Sequence, residues 1–521
     1  MKKIYFYVIY LLLLGLLLMF STVLITASEP KYGGTLKVAV PAFPVDYDPP
    51  VCRSTSSNIV TQQVFEGLFV VDNNSEIVPH LVESWNVSED GKIFTFYLRK
   101  GIKFHNGKEM TEEDVIASIN RAKSVSFNVT GLSVIENIYA KDKYTVVVEL
   151  QEPTVTFMIR ISDKLQTVAI MPKEIIDGVP GGELNTVDKL IGTGPFKYEE
   201  IVPDQYIKLK RFEEYKPLKD VPPSGRAGSK IAYVDDVFVY PVSEVMTRLA
   251  GLQTGEYDIV QKIDTDLYAT SKEDPNIKVE IVKPGLSLLV MFNTRQGIMT
   301  DQKLRRAIQY AINCDEILMA AKGDKTFYET QGTVFTENQK WYSDVGIEHY
   351  NIGDIEGSSK IVEDLGYKGQ VVRIVTTREY VEFYNAAIVL RDQLKEIGLE
   401  PEINVVDWPT NVEKFSKDYS DWEITFNSFS ERIDPIGYMH NFDGSFLPYK
   451  SEEMDKLLEK IVTSVDFETR YELSKEFQNL VMNDIPLIFI GRFYNLDAAR
   501  KNVYGYTTIG DIPVFWNVWK E

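Results

Sequence analysis

The stretch between residues 371 and 406 constrains the fold more than any other part of the chain. Residues 371–375 are β-branched apart from Arg373, and a helical pattern then runs through Ala386 to Ile397 and stops at Gly398, with Pro401 beyond. Residues 402–406 read as a second strand, so the whole is a βαβ unit. The alternation recurs along the chain. Phe94 and Phe96 alternate around Thr95 in a strand over 92–98, and the Val-rich 143–150 forms another. Between them Thr111-Glu112-Glu113-Asp114 reads as a capped helix start, followed by Val115, Ile116 and Ile119 on one face. Strands are expected at 237–240, 277–281 and 288–292, the last a continuous apolar run suited to burial on both faces. A helix is expected at 245–252. Leu304, Ile308, Ala311, Ile312 and Leu318 recur at helical spacing, and a final helix at 471–482 precedes Pro486 and the apolar 487–490. The proline- and glycine-bearing stretch 217–230 reads as a long surface loop. The fold class is α/β, without a repeat or a low-complexity tract.

A chain of 521 residues exceeds the usual size of one core, so more than one lobe is expected. Residues 1–28 stand apart: Lys2 and Lys3, an apolar run over 4–25, then Thr26, Ala27 and Ser28. This is an export signal, or, because the run reaches spanning length, an uncleaved anchor. Removing it leaves 54 bases against 76 acids, a net charge of −22. With no Lys/Arg-rich block, such a surface excludes nucleic acid as a partner class. The two cysteines, Cys52 and Cys314, lie away from the apolar run, which argues against a lipid anchor, and they read as separate buried thiols.

Catalytic and cofactor patterns fail on inspection. Gly101 and Gly107-Lys108 are separated by five residues and followed by Glu109, so a phosphate-wrapping Walker loop is not formed. Gly192-Thr193-Gly194 continues into Pro195-Phe196, not into a third glycine opening a helix. No Gly-x-Ser-x-Gly or Cys-x-x-Cys occurs, and His80, His105, His349 and His440 are scattered. Adjacent acids such as Asp235-Asp236 and Glu112-Glu113 read as solvated faces. No catalytic residue, metal ligand or cofactor is assigned.

Several blocks in a fixed order carry a resemblance. They are Val64-Phe-Glu-Gly-Leu-Phe-Val-Val71, Val78-Pro-His-Leu-Val-Glu-Ser-Trp85 and Leu98-Arg-Lys-Gly-Ile-Lys-Phe-His-Asn-Gly107, then Gly192-Thr-Gly-Pro-Phe196. Leu249-Ala-Gly-Leu-Gln-Thr-Gly-Glu-Tyr-Asp258 and Phe292-Asn-Thr294, leading to Leu304-Arg-Arg-Ala-Ile-Gln-Tyr-Ala-Ile-Asn313, complete the series. Over nearly the whole mature chain this resembles the extracellular solute-binding protein family 5 of ABC importers. The resemblance implies a two-lobed periplasmic-binding-protein fold of the large class, with an extra subdomain in lobe I and a ligand cleft between the lobes. The expected division is 29–72, 190–280 and 490–521 for lobe I, 73–189 for the extra subdomain, and 281–489 for lobe II. It also implies a monomeric, non-enzymatic carrier, periplasmic or extracellular, that delivers its ligand to a membrane ABC permease.

For the ligand, Arg378-Glu379-Tyr380, Asp407-Trp408 and Ser428-Phe-Ser-Glu431-Arg-Ile-Asp434-Pro435 resemble dipeptide-binding members. By that resemblance the segment of Arg378 and Tyr380 offers its guanidinium to the peptide carboxylate, Trp408 lines the pocket and Glu431 receives the ammonium, with Ser428 a further ligand-binding candidate. The chemistry is self-consistent, because a zwitterion taken out of water needs a fixed partner at each end. Relatives usually carry Asp at the ammonium position, and Glu431 is one methylene longer. Asp434 before Pro435 reads as a turn former. Phe43 and Asn293 are expected on the cleft walls. Short peptides, dipeptides above all, are the expected ligand; a short oligosaccharide stacked on aromatics is the alternative, followed by a nickel chelate. A secreted hydrolase or chaperone of the same fold is the reading from another class.

Overall fold

A computed structural model describes residues 29–521, apart from 45, 53–54, 127–130, 163–167, 180, 183, 443 and 445. The predicted export signal lies outside the described residues.

The framework is an eleven-stranded sheet shared by two lobes. Its principal strands are β1 (Thr35–Val40), β2 (Asp236–Pro241), β3 (Ile259–Ile263), β4 (Ile277–Phe292), β5 (Val371–Thr376), β6 (Glu400–Val405), β7 (Ile424–Ser430) and β8 (Leu487–Arg500). In lobe I, β1 lies between parallel β2 and β3. In lobe II, β5 lies between parallel β6 and β7, so the βαβ unit read at 371–406 is present, with α-helix Val381–Glu396 as its crossover. Gly398, at φ +88, turns the chain where the helix was expected to stop.

The lobes are joined through β4 and β8, and here the sequence reading is corrected. Residues 277–281 and 288–292 were expected as separate strands, yet β4 runs unbroken through both. Its first half pairs with the lobe I half of β8, its second half with β7 and the lobe II half of β8. The register slips between Val282 and Leu286, where Pro284 has no N–H to give. The second half is buried on both faces, as its composition demands. Leu288, Val290 and Phe292 pack with Leu304, Ile308 and Leu390, whereas Leu289 and Met291 pack with Trp341, Phe429 and Phe477.

The helical spacing of Leu304 to Leu318 also resolves differently, into α-helices Gln302–Ala311 and Cys314–Lys322. The break falls at Asn313, whose side-chain oxygen accepts the Glu316 N–H at 3.2 Å. Cys52 and Cys314 are free and buried, and burial pushes the Cys314 thiol up to about 12.

A four-stranded antiparallel sheet stands beside the lobe I framework, with strands Val82–Val87, Ile93–Leu98, Thr145–Leu150 and Ile135–Asp142 in spatial order. Helix Glu112–Val125 covers it, burying Val115 and Ile119 against Phe94, Phe96, Val146 and Val148. At its start the Thr111 N–H donates to the Asp114 carboxylate at 3.0 Å.

Three of the sequence blocks meet beneath this sheet. Glu66, His80 and Lys230 are almost wholly buried, and the Glu66 carboxylate lies 2.6 Å from His80 Nε2 and 3.3 Å from Lys230 Nζ. The hydroxyls of Thr193 and Tyr215 donate to the same carboxylate at 3.0 and 2.9 Å. Burial alone would raise the Glu66 pKa, but His80, Lys230 and these hydrogen bonds hold it well below the usual carboxylate range. A Cβ on Gly192 or Gly194 would sit 2.1 or 2.7 Å from the Val64 carbonyl oxygen, so the chain can pass there only as glycine. These blocks are fold determinants.

Candidate functional site

Strand direction locates the site. β7 runs antiparallel to β4 and β5 runs parallel to β7, so the C-terminal ends of β5, β6 and β7 all point back toward the crossing between the lobes. On lobe I, β3 pairs with β8 and ends at Ile263 opposite Leu496, so β1, β2 and β3 end at the crossing too. A crevice outside the carboxyl ends of parallel strands is where open α/β sheets place ligands.

Five of the seven residues singled out in the sequence stand at those ends in lobe II. Arg378 and Tyr380 follow β5, Trp408 follows β6, Ser428 lies two residues before the end of β7, and Glu431 is the residue after that strand. Tyr380 and Val381 are 41% and 59% exposed, and Val405, at the end of the neighbouring strand, is 46% exposed. These three residues form an apolar lip at the cleft end of lobe II. Trp408 supports it: its ring meets Tyr380 edge-on at 4.9 Å and lies 6.0 Å from Phe383. The Trp408 N–H donates to Glu379 Oε1 at 2.9 Å, and Asp407 caps the helix Trp408–Ser416 by accepting the Thr410 N–H at 2.8 Å. Glu379 therefore orients Trp408. Ser428 is half-buried and sits opposite Leu288 of β4.

The two charged residues are held differently. Arg378 is exposed, its guanidinium lying 4.7 Å over the Tyr384 ring with Nη2 donating to the Tyr384 hydroxyl at 3.0 Å. Glu431 is 23% exposed, and its Oε1 accepts from Arg492 Nη1 and from the Thr336 hydroxyl, each at 3.2 Å. Its second oxygen, Oε2, makes neither contact. Arg492 is nearly buried in β8 and also donates through Nη2 to the Gly285 carbonyl at 3.2 Å, which ties Glu431 to both crossing strands. Arg492 escaped the sequence reading. The signal was there, a single arginine in the apolar run of β8, where an unpaired charge would be costly.

Asn293 does not stand at the cleft. Its N–H donates to the Glu423 carbonyl, at the N-terminal end of β7 and so at the far end of lobe II. It is fully buried; Nδ2 donates to the carbonyls of Tyr419 and Trp422 at 2.7 and 2.9 Å, and Oδ1 accepts the N–H groups of Arg295 and Gln296. The amide is spent on holding a turn. Phe43 follows β1 at the cleft end but is half-buried against the lobe I core. Asp434, read as a turn former, accepts the Ile436 N–H at 3.1 Å and pairs with buried Arg470 through both oxygens.

Among the described residues no group of three or more His, Cys, Asp or Glu could hold a metal ion. No described helix is long and apolar enough to cross a membrane.

Comparison with known proteins fits this arrangement. The sequence model of the bacterial extracellular solute-binding proteins, family 5, matches residues 76–446. A probable peptide ABC transporter periplasmic-binding protein of Sinorhizobium fredii is 29% identical over 510 residues, covering 93% of each chain. Among solved structures, the ABC transporter substrate-binding protein CtaP of Listeria monocytogenes superposes with a TM-score of 0.82 at 23% identity, over 94% of this chain and all of the other. The periplasmic binding protein DppA of Helicobacter pylori, in complex with the peptide STSA, gives a TM-score of 0.74 at 24% identity, over 94% and 99% of the two chains.

Proposed function

Since the chain belongs to the family 5 bacterial extracellular solute-binding proteins, a family of transport binding proteins and not of enzymes, we propose that it captures short peptides, dipeptides above all. In this reading it is exported through residues 1–28, binds as a monomer in the interlobe cleft, and hands its ligand to a membrane ABC permease. Lobe I comprises 29–72, 190–280 and 490–521, the extra subdomain 73–189, and lobe II 281–489.

One observation carries the ligand assignment: a cation and an anion of one lobe stand at the ends of neighbouring parallel strands, with an exposed apolar lip beside them. A dipeptide is a short zwitterion with apolar side chains, and each part finds a complement there. Arg378 offers a planar fork to a carboxylate, Glu431 Oε2 accepts from an ammonium, and Tyr380 and Trp408 cover a side chain. The relative from Sinorhizobium and the peptide complex of the Helicobacter protein support the same reading.

Titration calorimetry with peptides retained by the wild type tests it. Arg378→Ala and Glu431→Gln, each still folded by circular dichroism, are expected to weaken binding by roughly tenfold or more, the scale of one charge-assisted hydrogen bond. Unchanged affinity in both would remove the zwitterion reading. It would favour a neutral ligand such as a short oligosaccharide, which needs no pair of opposite charges.

A further inference from the structure

The body built on the four-stranded sheet touches lobe II directly. Lys340 Nζ of lobe II lies 3.0 Å from Glu76 Oε2, the Thr154 hydroxyl donates to the Val462 carbonyl at 3.4 Å, and Val155 and Ile159 pack against the lobe II cluster of Leu289, Met291 and Trp341. Between the two bodies lies a cavity of about 520 Å³, a size at which small ligands are held. Val87, Phe94 and Met158 wall it on one side, and Trp341, Val465 and Phe467 on the other. Val87, Val465 and Phe467 are 45%, 56% and 40% exposed, whereas Trp341 is buried, its ring 5.1 Å from that of Phe467. The cations and the buried acid of the wall are already spent. Asp434 and Arg470 pair with each other, and Lys340 pairs with Glu76. Glu89 and Asp90, which also line the cavity, are exposed to solvent. An apolar group entering here displaces no partner of a buried charge.

The same cavity is tied to Glu431. Segment 336–341 is laced to segment 431–434 by three side chains: the Thr336 hydroxyl donates to Glu431 Oε1 at 3.2 Å, Gln339 Nε2 to the Arg432 carbonyl at 2.6 Å, and Trp341 Nε1 to the Ile433 carbonyl at 2.9 Å. One end of the lace fixes Glu431, and the other builds the cavity wall through Trp341 and Asp434. Three residues of chain span at most about 11 Å, so the wall starts close to whatever Glu431 holds.

We propose that this cavity receives a large apolar side chain of the peptide residue whose ammonium Glu431 takes. The inference rests on the peptide reading above and adds a preference to it, for ligands that begin with an aromatic or a long aliphatic residue. Tyr380 and Trp408 cover a side chain beside Arg378, whereas this cavity serves the Glu431 end. A side chain lodged here touches both bodies, so its burial favours the arrangement in which they meet. A ligand shifts a conformational balance only by what it contributes differently to the two states, and the apolar area buried between the bodies is such a contribution.

Native mass spectrometry of the full mature chain tests the cavity, with two pools of di- to tetrapeptides as probes. One pool begins with Phe, Leu, Ile or Met and the other with Gly, Ala or Ser, with all later positions random. Both pools have free termini, so the charges offered to Arg378 and Glu431 are the same. The wild type is expected to retain the first pool at least about tenfold better, the scale of burying one large apolar side chain. Val465→Asp and Phe467→Ser, each at an exposed position and each folded by circular dichroism, should cut that preference about threefold or more, and Val465→Ile should keep it. Equal retention of the two pools by the wild type, or a preference unaltered in both the Asp and the Ser variant, would overturn the cavity assignment and leave the zwitterion reading standing. A wild type that retains neither pool would overturn the peptide reading and the cavity assignment with it.

Discussion

Asp497 shows how the framework around the crevice is tuned by a single group. It is fully buried in β8, accepts the Tyr506 hydroxyl at 2.6 Å and the Lys262 N–H at 2.9 Å, and has no cation within 4 Å among the described residues. Burial pushes its pKa up to about 6, against the pull of those two hydrogen bonds. Between about pH 4 and that value the native chain holds a proton the unfolded chain has released. The contribution of Asp497 to stability is thus fully present below about pH 4 and is lost as pH rises through about 6. Asp497→Asn keeps an acceptor for Lys262 and removes the dependence. Urea unfolding should show the variant gaining on the wild type from acid to neutral pH, by up to about 3 kcal/mol. An offset equal at pH 4 and pH 7.5 would contradict this. None of it was legible beforehand, because an aspartate in a strand gives no sign of whether a lysine will reach it. The same blindness hid Arg492, 61 positions from Glu431 in sequence and in contact with it.

At the scale of elements, the βαβ unit and the capped helix after Thr111 were read directly from spacing, because period and caps are local. The crossing strands were not. A proline and a glycine inside 277–292 look like a break, and only pairing with β8 on both sides carries the strand through. The crossing depends on Gly285, where a Cβ would sit 1.9 Å from the Phe493 carbonyl oxygen and 2.7 Å from the Tyr494 ring. Backbone cannot yield by that much without losing register. Gly285→Ala is expected to cost about 2 kcal/mol or more and to lower the melting temperature by several degrees. It should also displace the Gly285 carbonyl that Arg492 holds, so peptide affinity falls together with stability. A variant that melts with the wild type would show that the strands have slack here.

Across the whole molecule, the order of the sequence blocks carried the fold because those blocks fill one buried place. Glu66, His80 and Thr193 come from separate blocks and close on Lys230 from a loop that looked like mere surface. The candidate site residues read from the sequence divide by position. Arg378, Tyr380, Trp408, Ser428 and Glu431 stand at the crevice, whereas Asn293, placed by its position after a buried strand, stands at the opposite end of its lobe. Strand direction decides between the two ends, and a strand's apolar pattern does not reveal its direction. The proposed reading is that this crevice encloses short peptides. Native mass spectrometry of the mature chain as purified, with release and identification of the bound species, tests it most directly. A spread of short-peptide masses is the predicted result, and a single saccharide mass would contradict it.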